Sequence, residues 1–476
     1  MSRINTNVAA LTAQRGLRTS TNKLNSTLER LSTGLKINRG ADDPSGLIAS
    51  ESLRSEISGI NQAIDNGQRA NNVISTAEAA LSEVSSLLLN IKGMVVQSAN
   101  SGALSPDEVQ ANQLQVDSAV QSITRISNTT TFAGLRLIDG SLDYLTSGAS
   151  TSAFNSLHIN QANFGTADTI PVNVEVITSA QHAELQFRAS AIAKTVTLEI
   201  NGNEGVDTLT FASGTTAGAV MSAINRLADA TGVKAHLINS ANMASGVAFE
   251  STGWGSKEFV SIKAQSGQFT VTDTAGNAHS RDTGRDAKAT INGALTVADG
   301  LDLKIATATL DMTVGLNEAF GQGSTSFSIT GGGALFQLGS KVTANQQVNI
   351  GLQSVAASKL GDQADGFLND LISGGQATLV DGQAAKASRI IEKAIHQVAT
   401  MRGRLGAFEK NTLETNINSQ QIALENVTAS ESIIRDADFA QETAMLTRNQ
   451  ILTQAGTSVL ATANSAPQQV LSLLRS

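Results

Sequence analysis

The stretch Ile74-Ser-Thr-Ala77-Glu-Ala-Ala-Leu81-Ser-Glu-Val84-Ser-Ser-Leu-Leu88-Leu-Asn-Ile91-Lys-Gly-Met-Val95 decides the fold class of this chain. Its positions Ile74, Ala77, Leu81, Val84, Leu88, Ile91 and Val95 alternate three and four residues apart for three heptads. That period makes one helical face apolar along its length, and such a face has to be covered by another helix. The same spacing stands upstream in Leu24, Leu28, Leu31 and Leu35. Between the two stripes Asp42-Asp43 precedes Pro44. A residue before proline is pushed out of helical backbone, so a break is expected over about 37–44. A third helix is expected to start at Ser105-Pro106-Asp107-Glu108, with a Ser cap, Pro in the first position and an acid at the third.

The far end mirrors this. From about 380 to 427, Ile391, Ile395, Val398, Leu405 and Phe408 share a helical face. After the polar stretch Thr428-Ala429-Ser430, heptads resume with Ile433, Ala437, Ala440, Ala444 and Ile451. The phase then shifts to Leu452, Ala455 and Val459 and ends in Val470, Leu473 and Leu474. The small Ala positions imply close helix packing. Neither end buries its stripe alone, so pairing of the N-terminal with the C-terminal helices is expected.

The middle differs. Residues of about 146–330 hold the one Trp, all the His except His396, and 18 of the 41 Gly. Period-two alternation marks strands at Val172, Val174, Val176 and at Val196, Leu198, Ile200. Asn201-Gly202 and Asn292-Gly293 are tight-turn dipeptides. Val220, Ile224 and Leu227 mark one helix among the strands. The fold class is therefore α+β and multidomain: a long helical coiled-coil base from both chain ends, with an inserted β-rich α+β outer domain.

Composition limits the chemistry. The 476 residues include no Cys and only four Pro, aromatics are 3%, and the net charge is −8. Without thiols there is no disulfide scaffold, thiolate zinc site or cysteine nucleophile. An acidic chain with a pI of 5.3 lacks the basic face of a nucleic-acid binder. No run of about eighteen apolar residues suggests a membrane span, and the first residues lack a signal-peptide core. His158, His182, His236, His279 and His396 stand at no metal-ligand spacing, and the stripes lack the basic flanks of a membrane-surface helix. Gly321-Gln-Gly323 and Gly331-Gly-Gly333 match no phosphate loop and read as turns. Asp42-Asp43 and Asp436 with Asp438 read as helix caps or members of ion pairs. No enzyme, cofactor or metal is expected.

Leu31-Ser-Thr-Gly-Leu-Lys-Ile-Asn-Arg-Gly-Ala-Asp-Asp-Pro-Ser-Gly-Leu47 closely resembles the N-terminal signature of bacterial flagellins. Ile434-Arg-Asp-Ala-Asp-Phe-Ala440, Asn449-Gln-Ile-Leu-Thr-Gln-Ala-Gly-Thr-Ser-Val-Leu460 and Pro467-Gln-Gln-Val-Leu-Ser-Leu-Leu-Arg475 look like their C-terminal signature. Thr195 to Ala235 is similar to the small IN module of flagellins and hook-associated proteins. Phe336-Gln-Leu-Gly339 through Leu360-Gly361 resembles a segment many flagellins carry soon after their N-terminal helices; here it follows the insertion.

The resemblance implies a structural subunit that polymerises into the bacterial flagellar filament used in swimming. It implies three domains: a terminal coiled coil (1–44 with 431–476), a helical rod with β-hairpin elements (45–145 with 331–430) and a surface-exposed insertion (146–330). It also implies an extracellular location reached by type III export, terminal helices that order on assembly, and a homopolymer as the main partner. The filament cap, hook–filament junction proteins, an export chaperone and the export apparatus are the other implied partners; no nucleic acid or membrane is. Leu24, Leu28, Leu31 and Leu35 are expected to pack against Ala440, Ala444, Ile451, Leu452, Ala455 and Val459, within or between subunits. Asp42, Asp43 and Pro44 are expected to link the inner and outer helical domains.

One family motif departs from its pattern. Flagellins sensed by the vertebrate Toll-like receptor carry an Arg where this chain has Asn90, within Leu89-Asn90-Ile91-Lys92-Gly93-Met94. Gly93 also stands in mid-helix, at a cost of about 1 kcal/mol relative to Ala. Weak or absent recognition by that receptor is implied. Two rival readings stay open: a junction protein with the same helical ends, and an adhesin or enzyme carried by residues 146–330, whose Ser and Thr are also candidate glycan sites.

Overall fold

The computed structural model describes residues 6–100, 102–165, 167–242, 245–307 and 309–475, with side chains as far as Ala466. Val470, Leu473 and Leu474 therefore lie outside the described side chains. Among the described residues there are eight α-helices: α1 (Val8–Thr33), α2 (Pro44–Ser98), α3 (Pro106–Thr129), α4 (Ala217–Asn225), α5 (Ala228–Thr231), α6 (Ala384–Phe408), α7 (Thr415–Arg435) and α8 (Phe439–Arg475).

Local chemistry sets the helix ends. Asn7 caps α1 by accepting the Ala10 N–H at 3.0 Å, and Gly34 ends it with φ +72°. Only a residue without Cβ takes that backbone cheaply. The expected start of α3 is a full capping box: Ser105 Oγ accepts the Glu108 N–H, and the Glu108 carboxylate accepts the Ser105 N–H at 2.7 Å.

The stripe from Ile74 to Val95 behaves as its period predicts, each of its seven positions being at most 1% exposed. One expectation needs correction. By length and composition α2 reaches the range of a membrane span, with mean hydropathy 1.3 over eighteen residues. Its apolar residues do not form one run because polar residues occupy the remaining faces, while the stripe is covered by protein.

The C-terminal helix also differs from its expected bounds. It starts at Ala384, and Glu409–Glu414 form a π turn before α7. The buried positions Val398 and Leu405 are seven apart, but Leu413 follows eight after Leu405. The wider turn takes up that extra residue and keeps Leu413 buried. Thr428-Ala429-Ser430 do not interrupt the helix; α7 runs through them to Arg435. The break comes at Asp436–Asp438, where Asp438 accepts the N–H groups of Ala440 at 2.9 Å and Gln441 at 3.1 Å.

The chain divides into two compact units. One comprises Met1–Arg69, Gln337–Val342 and Lys410–Ser476; the other comprises Ala70–Phe336 and Thr343–Glu409. Within the second unit the β-rich region contains two hydrophobic cores rather than one. The first is closed by an antiparallel five-stranded sheet, in the order 294–295, 288–291, 170–178, 323–332 and 144–147, and a four-stranded sheet. Val172, Val174 and Val176 point into it, as their alternation requires. The second core lies wholly between Ala183 and Val271 and is built by strands 184–187, 196–201, 206–211, 233–237, 247–251 and 259–266 with α4. A single sequence interval thus holds one core nested inside another.

The two Asn-Gly dipeptides have different roles. Asn292 and Gly293, at φ +50° and +79°, form the two-residue turn joining 288–291 to 294–295. Asn201-Gly202 instead opens a longer connection, in which Gly202 N–H donates to Gly205 O at 3.1 Å. A Cβ on Gly202 would lie 2.3 Å from the Thr231 carbonyl, so close approach, not turn geometry, requires this glycine. Leu227 sits between α4 and α5 rather than in either.

Candidate polymerisation interface

α1 and α8 run antiparallel in the first unit. Asn7 Nδ2 donates to Ala463 O at 2.8 Å, Asn449 Nδ2 to Thr27 Oγ1 at 3.2 Å, and Arg30 Nη1 to Glu442 Oε1 at 3.2 Å. Leu35 bridges Asp436, and Lys36 N–H donates to Arg435 O at 2.7 Å. Buried or half-buried positions recur on α1 as Ala10, Ala13, Leu17, Ser20, Leu24, Thr27 and Leu31. On α8 they recur as Glu442, Leu446, Asn449, Thr453, Gly456, Leu460 and Ala463. Both sets follow three–four spacing, which is an intrachain coiled-coil seam.

The seam uses only part of the expected set. Leu24, Leu31 and Leu35 are half-buried in it, whereas Leu28 is exposed. On α8, Ala440, Ala444, Ile451, Leu452, Ala455 and Val459 are all exposed. The offset has a physical cause. Glu442 and Asn449 find partners only on α1, and Gly456 lets Leu17 approach to 3.3 Å of where a Cβ would stand. Those needs turn α8 so that Leu446 and Leu460 face α1 while Ile451, Leu452 and Val459 face outward. Ile451, 61% exposed, lies on the uncovered side, flanked by Leu452 and Val459, whereas Phe439, 70% exposed, stands in the phase of the seam at the start of α8. Val8 and Leu11 of α1 are exposed as well. Exposed aliphatic side chains grouped in this way make the outside of α8 a candidate association surface.

The expected link is a pair of carboxylates holding backbone. Asp42 accepts the Arg39 N–H at 2.9 Å and the Asn38 N–H at 3.1 Å. Asp43 accepts the Gly46 N–H at 2.9 Å and the Ser45 hydroxyl at 2.9 Å, capping α2 with Pro44 in its first position. Ile37, 2% exposed, anchors the same loop. The Arg39 N–H holds the Asp42 carboxyl below its ordinary 3.8, and the Gly46 N–H does the same for Asp43. A depressed carboxyl favours the folded loop fully above 3.8 and loses that contribution as pH falls through the folded value. Protection of the Asn38, Arg39 and Gly46 amides against hydrogen exchange, corrected for intrinsic rate, is therefore expected to fall below pH 3.8. Constant protection through that range would contradict the assignment.

Of the departed receptor motif, Leu89, Asn90 and Gly93 are exposed on α2 and Met94 is half-buried. The helix is unbroken at Gly93, around which a Cβ would meet nothing within 4 Å. The histidines are scattered: His182 Nδ1 lies 2.8 Å from Gly253 O, His236 3.5 Å from Glu250 and His279 3.9 Å from Asp273. Among the described residues no three metal-ligating side chains converge.

Family models agree with this layout. Residues 4–143 match the bacterial flagellin N-terminal helical region, 388–474 the bacterial flagellin C-terminal helical region, and 197–253 the flagellin hook IN motif. The chain is 31% identical to a B-type flagellin of Pseudomonas aeruginosa over 99% of both chains. The chain belongs to the bacterial flagellin family. A flagellin of Salmonella typhimurium is 30% identical to it, again over 99% of both. Among solved structures, FliC from Burkholderia pseudomallei matches 73% of this chain and 99% of its own with a TM-score of 0.24 and 14% identity. As a flagellin the chain is a structural subunit of the extracellular flagellar filament of bacteria. The IN motif coincides with most of the second β core, so that nested core is family material and not an unrelated graft.

Proposed function

We propose that this flagellin polymerises through the outward apolar faces of its terminal helices, with Ala440, Ala444, Ile451, Leu452, Ala455 and Val459 on α8 and Leu28 on α1 covered by neighbouring subunits. The observation that carries this reading is the uncovered side of α8, which keeps Ile451, Leu452 and Val459 in water while Glu442, Leu446, Asn449, Thr453, Gly456 and Leu460 take the intrachain seam. Leu24, Leu31 and Leu35 hold α1 against α8 in the same subunit and so act on assembly indirectly. Asp42, Asp43 and Pro44 join the terminal coil to the rod.

The division into a terminal coil (1–44 with 431–476), a rod (45–145 with 331–430) and an outer insertion (146–330) belongs to this proposal. So do passage through a type III export apparatus with a chaperone, growth beneath a cap protein, a junction to the hook, and weak engagement of the vertebrate flagellin receptor. No catalytic role is proposed for any domain. Covering the outward apolar faces only on assembly ties growth to interface burial.

Seeded assembly tests the reading. Purified monomer mixed with short filament fragments is expected to extend them into long filaments visible by electron microscopy. Deleting residues 1–40 or 437–476 is expected to stop extension. Intact protein that only decorates fragment ends would transfer the assignment to a junction protein.

A further inference from the structure

The seam between α1 and α8 buries polar side chains, Thr27, Glu442 and Asn449, among its leucines. Glu442 is only 7% exposed at its side chain, and Arg30 28%. They share one bond of 3.2 Å, although an Arg–carboxylate pair has geometry for two. Arg30 Nε and Glu442 Oε2 are both enclosed and have no hydrogen-bond partner among the described residues. Two turns further along α8, Asn449 is buried and donates to Thr27, which is also buried. Aliphatic residues at these four positions would bury more apolar surface and would leave no polar atom unpaired. A half-satisfied ion pair is therefore a weak source of stability, and its best attested use in coiled coils is to select partner and register.

We propose that the Arg30–Glu442 pair, with Thr27–Asn449 beside it, selects the antiparallel pairing of α1 with α8 over pairing of like helices. Two copies of α8 in parallel register would confront Glu442 with another carboxylate, and two copies of α1 in parallel register would confront Arg30 with another guanidinium. The mixed pair neutralises both charges. Sliding α8 one heptad toward the α1 C-terminus carries Glu442 level with Ile37 and Asn449 level with Gly34, both beyond Thr33, where α1 ends. Sliding it the other way brings Glu442 level with Lys23 and Asn449 level with Ser20, which supply substitute partners. In that direction Gly456 passes from Leu17 to Ala10, and the space that a leucine fills is left empty. Charge selects the partner helix, and the glycine opposite Leu17 refines the register. The consequence for the filament rests on the proposed role of the outer face of α8: one pairing presents that face in one orientation.

The absence of native cysteine makes the pairing directly measurable. A Cβ on Gly456 would stand 3.6 Å from the Leu17 Cβ, within disulfide geometry, so Leu17→Cys with Gly456→Cys reports the native pair. The rate of intrachain crosslinking is read in the full-length soluble chain and again in seeded filaments. Arg30→Glu or Glu442→Arg alone is expected to slow it at least about tenfold, and the two together to restore it to within about twofold. Arg30→Met with Glu442→Leu is expected to keep the intrachain product and to add an interchain one, because the charge filter is gone. The thermal transition of the second unit, unchanged in every variant, shows that the chain has folded. Single reversals that leave the rate unaltered, a double reversal that restores nothing, or an apolar pair that yields no interchain product would each overturn the proposal. Normal crosslinking in a chain that never extends seeds would sink the assembly reading and leave the pairing rule standing.

Discussion

Ile451→Asp is expected to abolish filament growth while leaving the monomer folded. Ile451 is 61% exposed in the single chain, so a carboxylate there meets water and costs the monomer little. In the proposed filament contact the same carboxylate is buried without a partner, at a cost of about 3 kcal/mol or more. At about 1.4 kcal/mol per decade, that raises the critical concentration for growth roughly a hundredfold. Seeded extension followed by electron microscopy, with the thermal transition of the soluble chain as control, measures both halves. Leu31→Asp makes a useful contrast: Leu31 is half-buried in the seam, so this change is expected to loosen α1 from α8 as well as block growth. Unimpaired extension by Ile451→Asp would remove α8's outer face from the assembly contact.

The second large effect is in the second unit. Leu88→Ala is expected to destabilise it by about 2–5 kcal/mol, since Leu88 is fully buried and its removal leaves a cavity. Leu89→Ala, one residue along and 57% exposed, is expected to change stability by no more than about 0.5 kcal/mol. Denaturant unfolding of the soluble chain compares the two directly. Similar losses for both would mean that the heptad stripe of α2 does not form the core against which the rod helices pack.

Most of the helical frame was legible in the residues. The stripe from Ile74 to Val95 and the box at Ser105-Pro-Asp-Glu108 depend on spacing and capping within a few turns, which are local properties. The turn at Asn292-Gly293 is local too, because both residues tolerate positive φ. The π turn at Glu409–Glu414 was not evident, though the eight-residue step from Leu405 to Leu413 carries its signal. Gly202 could not be understood from its neighbours, because the Thr231 carbonyl that forbids a side chain there lies some thirty positions away. The second core, from Ala183 to Val271, was read as part of one insertion because strand alternation says that a residue is buried without saying in which core.

The same distinction applies to the candidate interface. Periodicity alone establishes that both chain ends are amphipathic helices in need of cover, and the terminal motifs establish the family. Which α8 residues face α1 was beyond it. A helix whose apolar residues spread around more than one face has several equivalent ways to dock by hydrophobicity, and Ala440, Ile451 and Val459 were as good a seam as any. The choice came from three long-range requirements: a carboxylate at Glu442 that needs Arg30, an amide at Asn449 that needs Thr27, and a glycine at 456 that admits Leu17. Amphipathicity is written along one helix. The side that faces inward depends on polar and steric partners more than 400 residues away in the chain, so tertiary structure alone decides it.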